Sequence, residues 1–517
     1  MNISRCVSLG LMAGMISVSA FAADAGTQPA GSATADTAAS AVPAASVAAD
    51  QKDHAQAAGE GATNAGMANN PANAQAAPDQ APAGVVRVPY VPEAVMREIK
   101  EEIKQEVLAQ AIGERWADPG AMPEWLKRIS WNGDFRLRFQ RDSFPSGNAL
   151  PGVYNPAGLT LISNTTDTNN YLRIQARLGM KAKVSDYTFA AFRLTTGSTS
   201  NPVSTNQTLG TGYNKYSLVF DRAYVQSVPY YWLALSGGKM PNPWLSTDLV
   251  WDNDVNFEGV AAQLQPRFSE AWVGYLTAGA FPFQNIQRSD TVLANSKWLY
   301  GAQLGTRWTA MDTSTAEFGI ALYDFMNVEG IPNTTLGSHY YDYTAAQSMQ
   351  KGNTLMYVNA TGDPTLYGIA SKFRELDLTA KMDWADFDPV HVTLSADYVK
   401  NLGFDAAEIA RRTGLAAPVP EITGHQIALS VGDTQLKIYG DWQLSVAYKY
   451  LERDAVLDAL TDSDFHLGGT NAKGYIISGS YWLDTETSLG LRWISSDQID
   501  GAQLSIDTLQ ADLSVRF

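Results

Sequence analysis

The stretch Tyr171–Val184, with the sequence YLRIQARLGMKAKV, decides the fold class of this chain. Its apolar residues occupy every second position, and charged residues, polar residues or glycine occupy most positions between them. A period of two residues is that of a β-strand, whereas a helix would place these charges all round its surface. Fourteen alternating residues are too many for most strands of a soluble sandwich. They match a tilted strand that crosses a bilayer.

Comparable alternation recurs along the chain after Ile129. It is clearest in Ser130–Gln140, Lys372–Trp384, Val390–Tyr398, Trp442–Tyr450 and Thr485–Trp493. The full pattern predicts sixteen strands, near residues 129–141, 170–184, 186–199, 215–229, 230–241, 254–266, 270–284, 298–311, 314–327, 371–384, 389–402, 423–433, 441–454, 472–483, 485–497 and 504–517.

The connections between these strands alternate in length, beginning with a long one. Val184–Asp186 is a short turn, whereas residues 142–169 and 327–371 are long connections. With an even strand number, this order predicts a 16-stranded antiparallel up-and-down transmembrane β-barrel, with both termini in the periplasm. A barrel of this size encloses a water-filled lumen. Lys215–Pro229 and Tyr231–Met240 alternate poorly, which indicates either bulges or a miscounted strand there.

The last strand carries a predicted assembly signal. Leu513, Val515 and Phe517 point to one face, while Ser514 and Arg516 point to the other. Alternating apolar residues before a final aromatic residue resemble the C-terminal signal of bacterial outer-membrane proteins. We therefore expect the barrel assembly machinery to be a partner.

Residues 1–22 have the features of a secretory signal peptide. One early cation, Arg5, precedes an apolar stretch that ends with small residues at Ala20 and Ala22. These small residues form a cleavage site, so the mature chain is expected to begin at Ala23. The single cysteine, Cys6, lies inside the signal peptide, so the mature chain is expected to contain no cysteine. This excludes a disulfide scaffold, a cysteine-based zinc site and a lipoprotein anchor.

Two further segments precede the strands. Residues 23–87 are predicted to be a disordered, alanine-rich linker, because they include no Phe, Trp, Leu or Ile up to Gly84 and cannot offset their conformational entropy. Residues 88–128 are predicted to form a short periplasmic helix with one narrow apolar stripe, Val95, Ile99, Ile103, Val107 and Ala111. The helix either pairs with copies of itself as a coiled coil or lies against the periplasmic mouth of the barrel.

Composition and motifs narrow the function classes. Only 17% of residues are charged, below the roughly 25% of soluble domains, and a mean hydropathy of -0.17 excludes a polytopic helical membrane protein. The formal net charge of -16 argues against nucleic acid as a partner. The five histidines lack metal-ligand spacing, and neither a P-loop nor a G-x-S-x-G motif is present. We therefore expect no enzymatic activity, no cofactor and no metal site.

The junction between the predicted helix and the first strand resembles a known family. Residues 88–116, VPYVPEAVMREIKEEIKQEVLAQAIGERW, and residues 118–140, DPGAMPEWLKRISWNGDFRLRFQ, are similar to the corresponding junction in the "putative porin" family of Gram-negative outer membranes. The resemblance extends by pattern to Phe517 and leaves out the linker. It implies a passive outer-membrane channel that is homotrimeric, and it implies no particular substrate.

If the apolar residues face lipid, the alternating residues face the lumen. Opposed basic and acidic walls would then create a transverse field that orients dipolar solutes. The alternative is that these charges only solvate the interior or pair with each other. The basic pore-lining candidates are Arg136, Arg138, Arg173, Arg177, Lys181 and Arg193. The acidic candidates are Glu317, Glu375, Asp377, Asp383 and Asp397.

The third long connection is the candidate constriction. It contains proline together with Trp244, Asp248, Trp251, Asp252 and Asp254. In general porins the third loop commonly folds inward, so these residues are expected to narrow the channel; an ordinary surface loop is the alternative.

Other long connections carry acidic residues that we expect to form an external entrance. Such an entrance would favour cations, or would bind divalent ions at lipopolysaccharide. A solvated acidic surface is the alternative. The residues are Asp454, Asp458, Asp462, Asp464, Asp497 and Asp500.

The leading functional hypothesis is therefore a porin in the outer membrane of a Gram-negative cell. It would lie in outer-membrane lipid and pass small hydrophilic solutes and ions by passive diffusion. Two alternatives stay open. In the first, the barrel is an envelope-tethering anchor whose helix and linker contact peptidoglycan or a periplasmic partner; in the second, the pore is a substrate-selective channel.

Overall fold

The structure is a computed structural model that describes residues 126–517, apart from 152–161, 290–291, 293, 311–312, 360–362, 415, 434–435 and 437. The predicted signal peptide, the linker and residues 88–125 of the predicted helix lie outside the described residues. Leu126–Arg128 form one turn of 3-10 helix that leads into the first strand. Among the described residues, no helix is both long enough and apolar enough to cross a membrane.

Sixteen long strands form the main sheet. In chain order, β1 to β16 are Ile129–Ser143, Asn169–Lys183, Thr188–Thr195, Val219–Tyr230, Leu233–Pro241, Asn256–Leu264, Trp272–Gln284, Lys297–Thr309, Thr315–Met326, Arg374–Trp384, Val390–Asn401, Thr423–Asp433, Trp442–Leu451, Ala472–Trp482, Thr487–Gln498 and Ser505–Arg516. Every predicted strand corresponds to one of them.

The sheet closes on itself. Each strand pairs with the next in antiparallel register, and β16 pairs with β1, with Val515 opposite Phe135 and Asp512 opposite Arg138. Closure leaves no unpaired sheet edge. The predicted 16-stranded antiparallel up-and-down barrel is therefore confirmed.

The two faces of the sheet differ as the alternation predicts. Phe318 and Ile320 of β9 are exposed on the outer face, whereas Glu375, Asp377 and Thr379 of the neighbouring β10 are buried on the inner face. An apolar outer face with a largely polar inner face is the pattern of a barrel that spans a membrane.

Short turns connect the strands at one end of the barrel, and all the loops at the other end except the last are longer. The eight loops at the long-loop end, L1 to L8, are residues 144–168, 196–218, 242–255, 285–296, 327–373, 402–422, 452–471 and 499–504. L2 contains a short strand, Gln207–Thr208, and L5 contains a two-stranded hairpin, Leu355–Tyr357 with Tyr367–Ile369. L6 contains one helix, α1, Ala406–Thr413, whose N-terminus is capped by Asp405.

Strand β4 is irregular, as its weak alternation predicts. Arg193 of β3 lies opposite Arg222, but Leu194 lies opposite Phe220, which leaves Asp221 without a partner residue on β3. A second shift falls between Ser227 and Tyr230 in the pairing of β4 with β5. The bulge places the carboxylate of Asp221 next to the guanidinium of Arg193. This ion pair is part of the candidate site described below.

Candidate functional site

Loop L3 folds into the barrel and packs on the inner wall. Trp251 is fully buried, and its ring meets those of Phe257 and Tyr323 with centroids 4.9 and 5.1 Å apart. Trp244 packs against Phe257, Phe281 and Tyr323. Aromatic residues on the inner face of β6, β7 and β9 therefore hold both tryptophans by apolar burial and edge-to-face contacts.

Polar contacts fix the same loop to several strands. Gln303 of β8 donates from Nε2 to the Leu245 carbonyl at 2.7 Å. The Thr247 hydroxyl donates to Asp397 of β11 at 2.6 Å. L3 thus reaches from its own strands, β5 and β6, across to β11.

Loop L7 folds inward beside L3. Its apolar residues Ala455, Val456 and Leu457 are buried, and the Leu457 amide donates to Glu375 of β10 at 3.0 Å. The two loops also bond directly, because the Asp252 amide of L3 donates to the L7 carbonyl of Leu460 at 2.8 Å. The barrel interior is therefore crossed by two mutually bonded loops.

Lys449 of β13 joins both loops to the wall. Its side chain is 0% exposed, and Nζ lies 2.9 Å from Asp248 of L3 and 2.9 Å from Asp462 of L7. Arg492 of β15 lies 3.6 Å from the same Asp462. The alternation of Trp442–Tyr450 places Lys449 on the inner face, but nothing in the sequence identifies its two partners.

The two acidic residues of L3 that face L7 differ in protonation. Burial raises the pKa of Asp248, but the charges of Lys449 and Arg492 outweigh burial and lower it to about 2. Burial and the charge of Asp462 raise the pKa of Asp252 to about 8. Asp252 accepts hydrogen bonds from the Ser463 and Asp254 amides, both at 2.8 Å. At neutral pH, L3 thus carries one fixed anion and one largely protonated carboxyl at its contact with L7.

The prediction of an acidic external entrance is wrong for the four residues that lie in L7. Asp454, Asp458 and Asp462 are only 2%, 1% and 6% exposed, and Asp464 bonds to Arg138 at 3.0 Å. Burial raises the pKa of Asp458 to about 7. The sequence shows that the loop is acidic, but it does not show that Asp454 accepts a bond from the Thr354 amide or that Lys449 and Arg138 bind Asp462 and Asp464 inside the barrel.

Three of the predicted basic pore residues are paired with carboxylates. Arg138 makes two bonds to Asp512 of β16, at 2.7 and 2.9 Å. Arg177 lies 2.9 Å from Asp134 and 3.5 Å from Asp254 of L3. Arg193 pairs with Asp221 at the bulge of β4. Asp512, Asp134 and Asp221 were not among the sequence candidates, because their roles depend on strand register.

The other three basic candidates have no such partner among the described residues. Arg136 donates to the Asn206 side chain at 2.6 Å, and Arg173 donates to the Gln140 side chain at 3.3 Å. Lys181 Nζ lies 3.7 Å from the centroid of the Phe189 ring, near the short-turn end.

The predicted acidic wall contacts the inner loops more than the lumen. Glu375, Asp377 and Asp397 are buried, and within the described chain none of them lies within ion-pairing distance of a cation. Glu375 and Asp397 accept bonds from L7 and L3, and Thr379 donates to Asp377 at 3.5 Å.

The remaining acidic candidates lie nearer the short turns. Glu317 pairs with Arg307, and Asp383 bonds to His391 and Thr393, each at 2.8 Å. Asp254, the last constriction candidate, accepts bonds from the Thr205 amide and hydroxyl at 2.9 Å.

The C-terminal residues close the barrel. Leu513 is exposed on the outer face. Phe517 exchanges two backbone hydrogen bonds with Gly133 of β1, at 2.8 and 3.0 Å. Across the part of the chain that the structure describes, no group of three or more His, Cys, Asp or Glu residues is arranged to hold a metal ion.

Comparison with known proteins places the chain in a family. Solved structures to which it is similar include OprB of Pseudomonas putida at high pH (10% identity, 76% of this chain, 96% of that chain, TM-score 0.44). Others are the outer membrane channel DcaP of Acinetobacter baumannii (11%, 75%, 97%, 0.38) and Salmonella typhi OmpF in complex with daunomycin (9%, 75%, 97%, 0.39). A search of curated proteins finds no match. A family model described as "Putative porin" matches residues 31–517, and the chain therefore belongs to this porin family.

Proposed function

We propose that this porin is a passive channel for small hydrophilic solutes and ions across the outer membrane, with no catalytic step. The observation that carries the proposal is a closed 16-stranded barrel whose inner face bears charged side chains on β1, β2, β3, β4 and β16. A lumen of this kind holds water, so polar solutes can cross the membrane while they remain in water.

The passage that we assign runs between L3 and the wall formed by β1 to β4. L3 packs its tryptophans on the opposite side, against β6, β7 and β9. Next to the β1 to β4 wall lies a cavity of about 590 Å³, lined by Thr195 of β3, Thr205 of L2, Asp221 of β4, Asp254 of L3 and Asn256 of β6. Asp254, which faces Arg177 across 3.5 Å, is the L3 residue that we place at the constriction.

Orientation and assembly follow from the architecture of such barrels. We assign the long-loop end to the cell exterior and the short turns and both termini to the periplasm, because transmembrane barrels place short turns on the periplasmic side. Assembly as a homotrimer, insertion by the barrel assembly machinery and contact with lipopolysaccharide belong to the same proposal.

Planar-bilayer recording tests the channel. Purified, folded protein should give stepwise increases in conductance whose size scales with the concentration of the salt solution. Folded material that inserts into the bilayer and gives no steps would refute the proposal. Chemical cross-linking of the protein in detergent tests the trimer, for which bands of one, two and three chains are expected.

A further inference from the structure

The arginines that face the lumen from β1 to β4 fall into two groups according to the side chain that holds each guanidinium. Arg138, Arg177 and Arg193 are held by carboxylates. The other group is held by neutral amides: Arg136 by Asn206 at 2.6 Å, Arg173 by Gln140 at 3.3 Å, and Arg222 by Asn256 at 2.7 Å. We call Arg136, Arg173 and Arg222 the amide-held arginines.

The two kinds of anchor have different electrostatic consequences. A carboxylate orients a guanidinium and also cancels its charge, whereas an amide oxygen orients the group and leaves its charge uncompensated. Within the described residues, no amide-held arginine lies within 4.0 Å of a carboxylate oxygen, and the Nε atoms of Arg136 and Arg173 have no hydrogen-bond partner. The three side chains are partly exposed, so a positive charge that no bound carboxylate cancels can act on a solute.

The amide-held arginines lie on one wall. Arg173 lies directly opposite Arg138 in the pairing of β1 with β2, so Arg136 is its diagonal neighbour on the inner face. Arg222 lies directly opposite Arg193 in the pairing of β3 with β4. Asn256, the anchor of Arg222, lines the cavity of about 590 Å³. Arg222 is thus bonded to a residue that lines this cavity, and Asn206, the anchor of Arg136, directly follows Thr205, which also lines it.

We propose that Arg136, Arg173 and Arg222 form an oxyanion-binding track that favours small organic anions carrying a carboxylate or a phosphate group. The inference rests on the proposed channel function and adds a solute class to it. Arginine suits this role because its planar donors match the oxygens of both groups.

Near-isosteric substitution of the anchors provides the test. Asn206→Asp and Asn256→Asp keep the side-chain shape but convert an amide-held arginine into a carboxylate-held one. In a KCl gradient, each variant should lower the chloride-to-potassium permeability ratio by roughly two- to fivefold, the effect of one partly exposed ion pair. Succinate and inorganic phosphate should block the current less than in the unmodified protein, while glucose should have the same effect on both.

Matched controls separate charge from structure. Asn206→Ala removes the hydrogen bond without adding a charge and should change the ratio less than Asn206→Asp. Asp221→Asn frees Arg193 and should shift the ratio toward chloride. If an aspartate variant fails to fold, the double variant Arg136→Gln, Arg173→Gln takes its place, with the same expected shift toward potassium.

The outcomes distinguish the two proposals. Unmodified protein that does not conduct would overturn the channel itself. A conducting protein whose permeability ratio and block by succinate and phosphate are unchanged in these variants would overturn only the oxyanion-binding track. Block by phosphate alone, or by succinate alone, would identify which oxyanion the track binds.

Discussion

The carboxyl group of Asp252 connects pH to the contact between the two inner loops. An aspartate in an unfolded chain titrates at about pH 3.9, whereas burial and Asp462 raise the pKa of Asp252 to about 8. Between these values the folded protein keeps a proton that the unfolded chain has released, so the stability contributed by this group falls as pH rises through the window. We expect the L3–L7 contact to loosen near pH 8, and hydrogen exchange of the Ser463 amide to become faster at pH 9 than the intrinsic pH effect explains.

Asp252→Asn provides the comparison for that prediction. Its side-chain oxygen can still accept from the Ser463 amide, which now donates to Asp252 at 2.8 Å, but it cannot ionise. The variant should therefore show only the intrinsic pH dependence of exchange. An identical excess at pH 9 in both proteins would show that another group controls the contact.

Single residues also show where prediction from sequence ends. Alternation alone places Arg136 and Arg138 on the same face of β1, and both lie on the inner face. It does not distinguish them, because the partners of Arg138 come from strand register, Asp512, and from a folded loop, Asp464. Arg136 meets Asn206 of L2 instead. The charge that a solute encounters is thus decided by contacts between residues far apart in the chain.

At the level of elements, Lys449 is the connection between one strand and two loops. Replacing it with methionine keeps the aliphatic volume but removes the cation 2.9 Å from both Asp248 and Asp462 and leaves only the more distant Arg492, at 4.0 and 3.6 Å. Removing one partner of a buried ion pair costs about 3–5 kcal/mol. We expect Lys449→Met to release L3 and L7 from β13, to raise single-channel conductance and to increase current noise.

An exposed lysine on the next strand gives the matched control. Lys473 of β14 is exposed, so Lys473→Met should leave conductance and noise at the levels of the unmodified protein. Equal conductance and noise in Lys449→Met and the unmodified protein would show that the other contacts of L3 and L7 are sufficient to hold the loops.

Strands and loops differ in how far their positions follow from local sequence. A strand with one face toward lipid and one toward the lumen must alternate, so β2 and β10 are visible in the sequence. L3 and L7 have no such constraint. The acidic sequence of L7 is typical of a solvated loop, and only the structure shows that L7 contacts Glu375 and Lys449 inside the barrel. The acidic entrance expected from the sequence is therefore wrong for Asp454, Asp458, Asp462 and Asp464.

At the scale of the whole molecule, the described contacts that close the barrel lie between the first and the last strand. The pairing of β1 with β16, and the backbone bonds between Gly133 and Phe517, involve only residues from 129 onward. A protein with the signal peptide joined to Arg115, lacking Ala23 to Glu114, should therefore fold and retain the single-channel conductance of the full chain. If residues 23–114 form a tether, the same deletion should abolish co-sedimentation with peptidoglycan while conductance is unchanged. Folded, inserted protein that has lost its conductance would instead show that the N-terminal region is part of the channel.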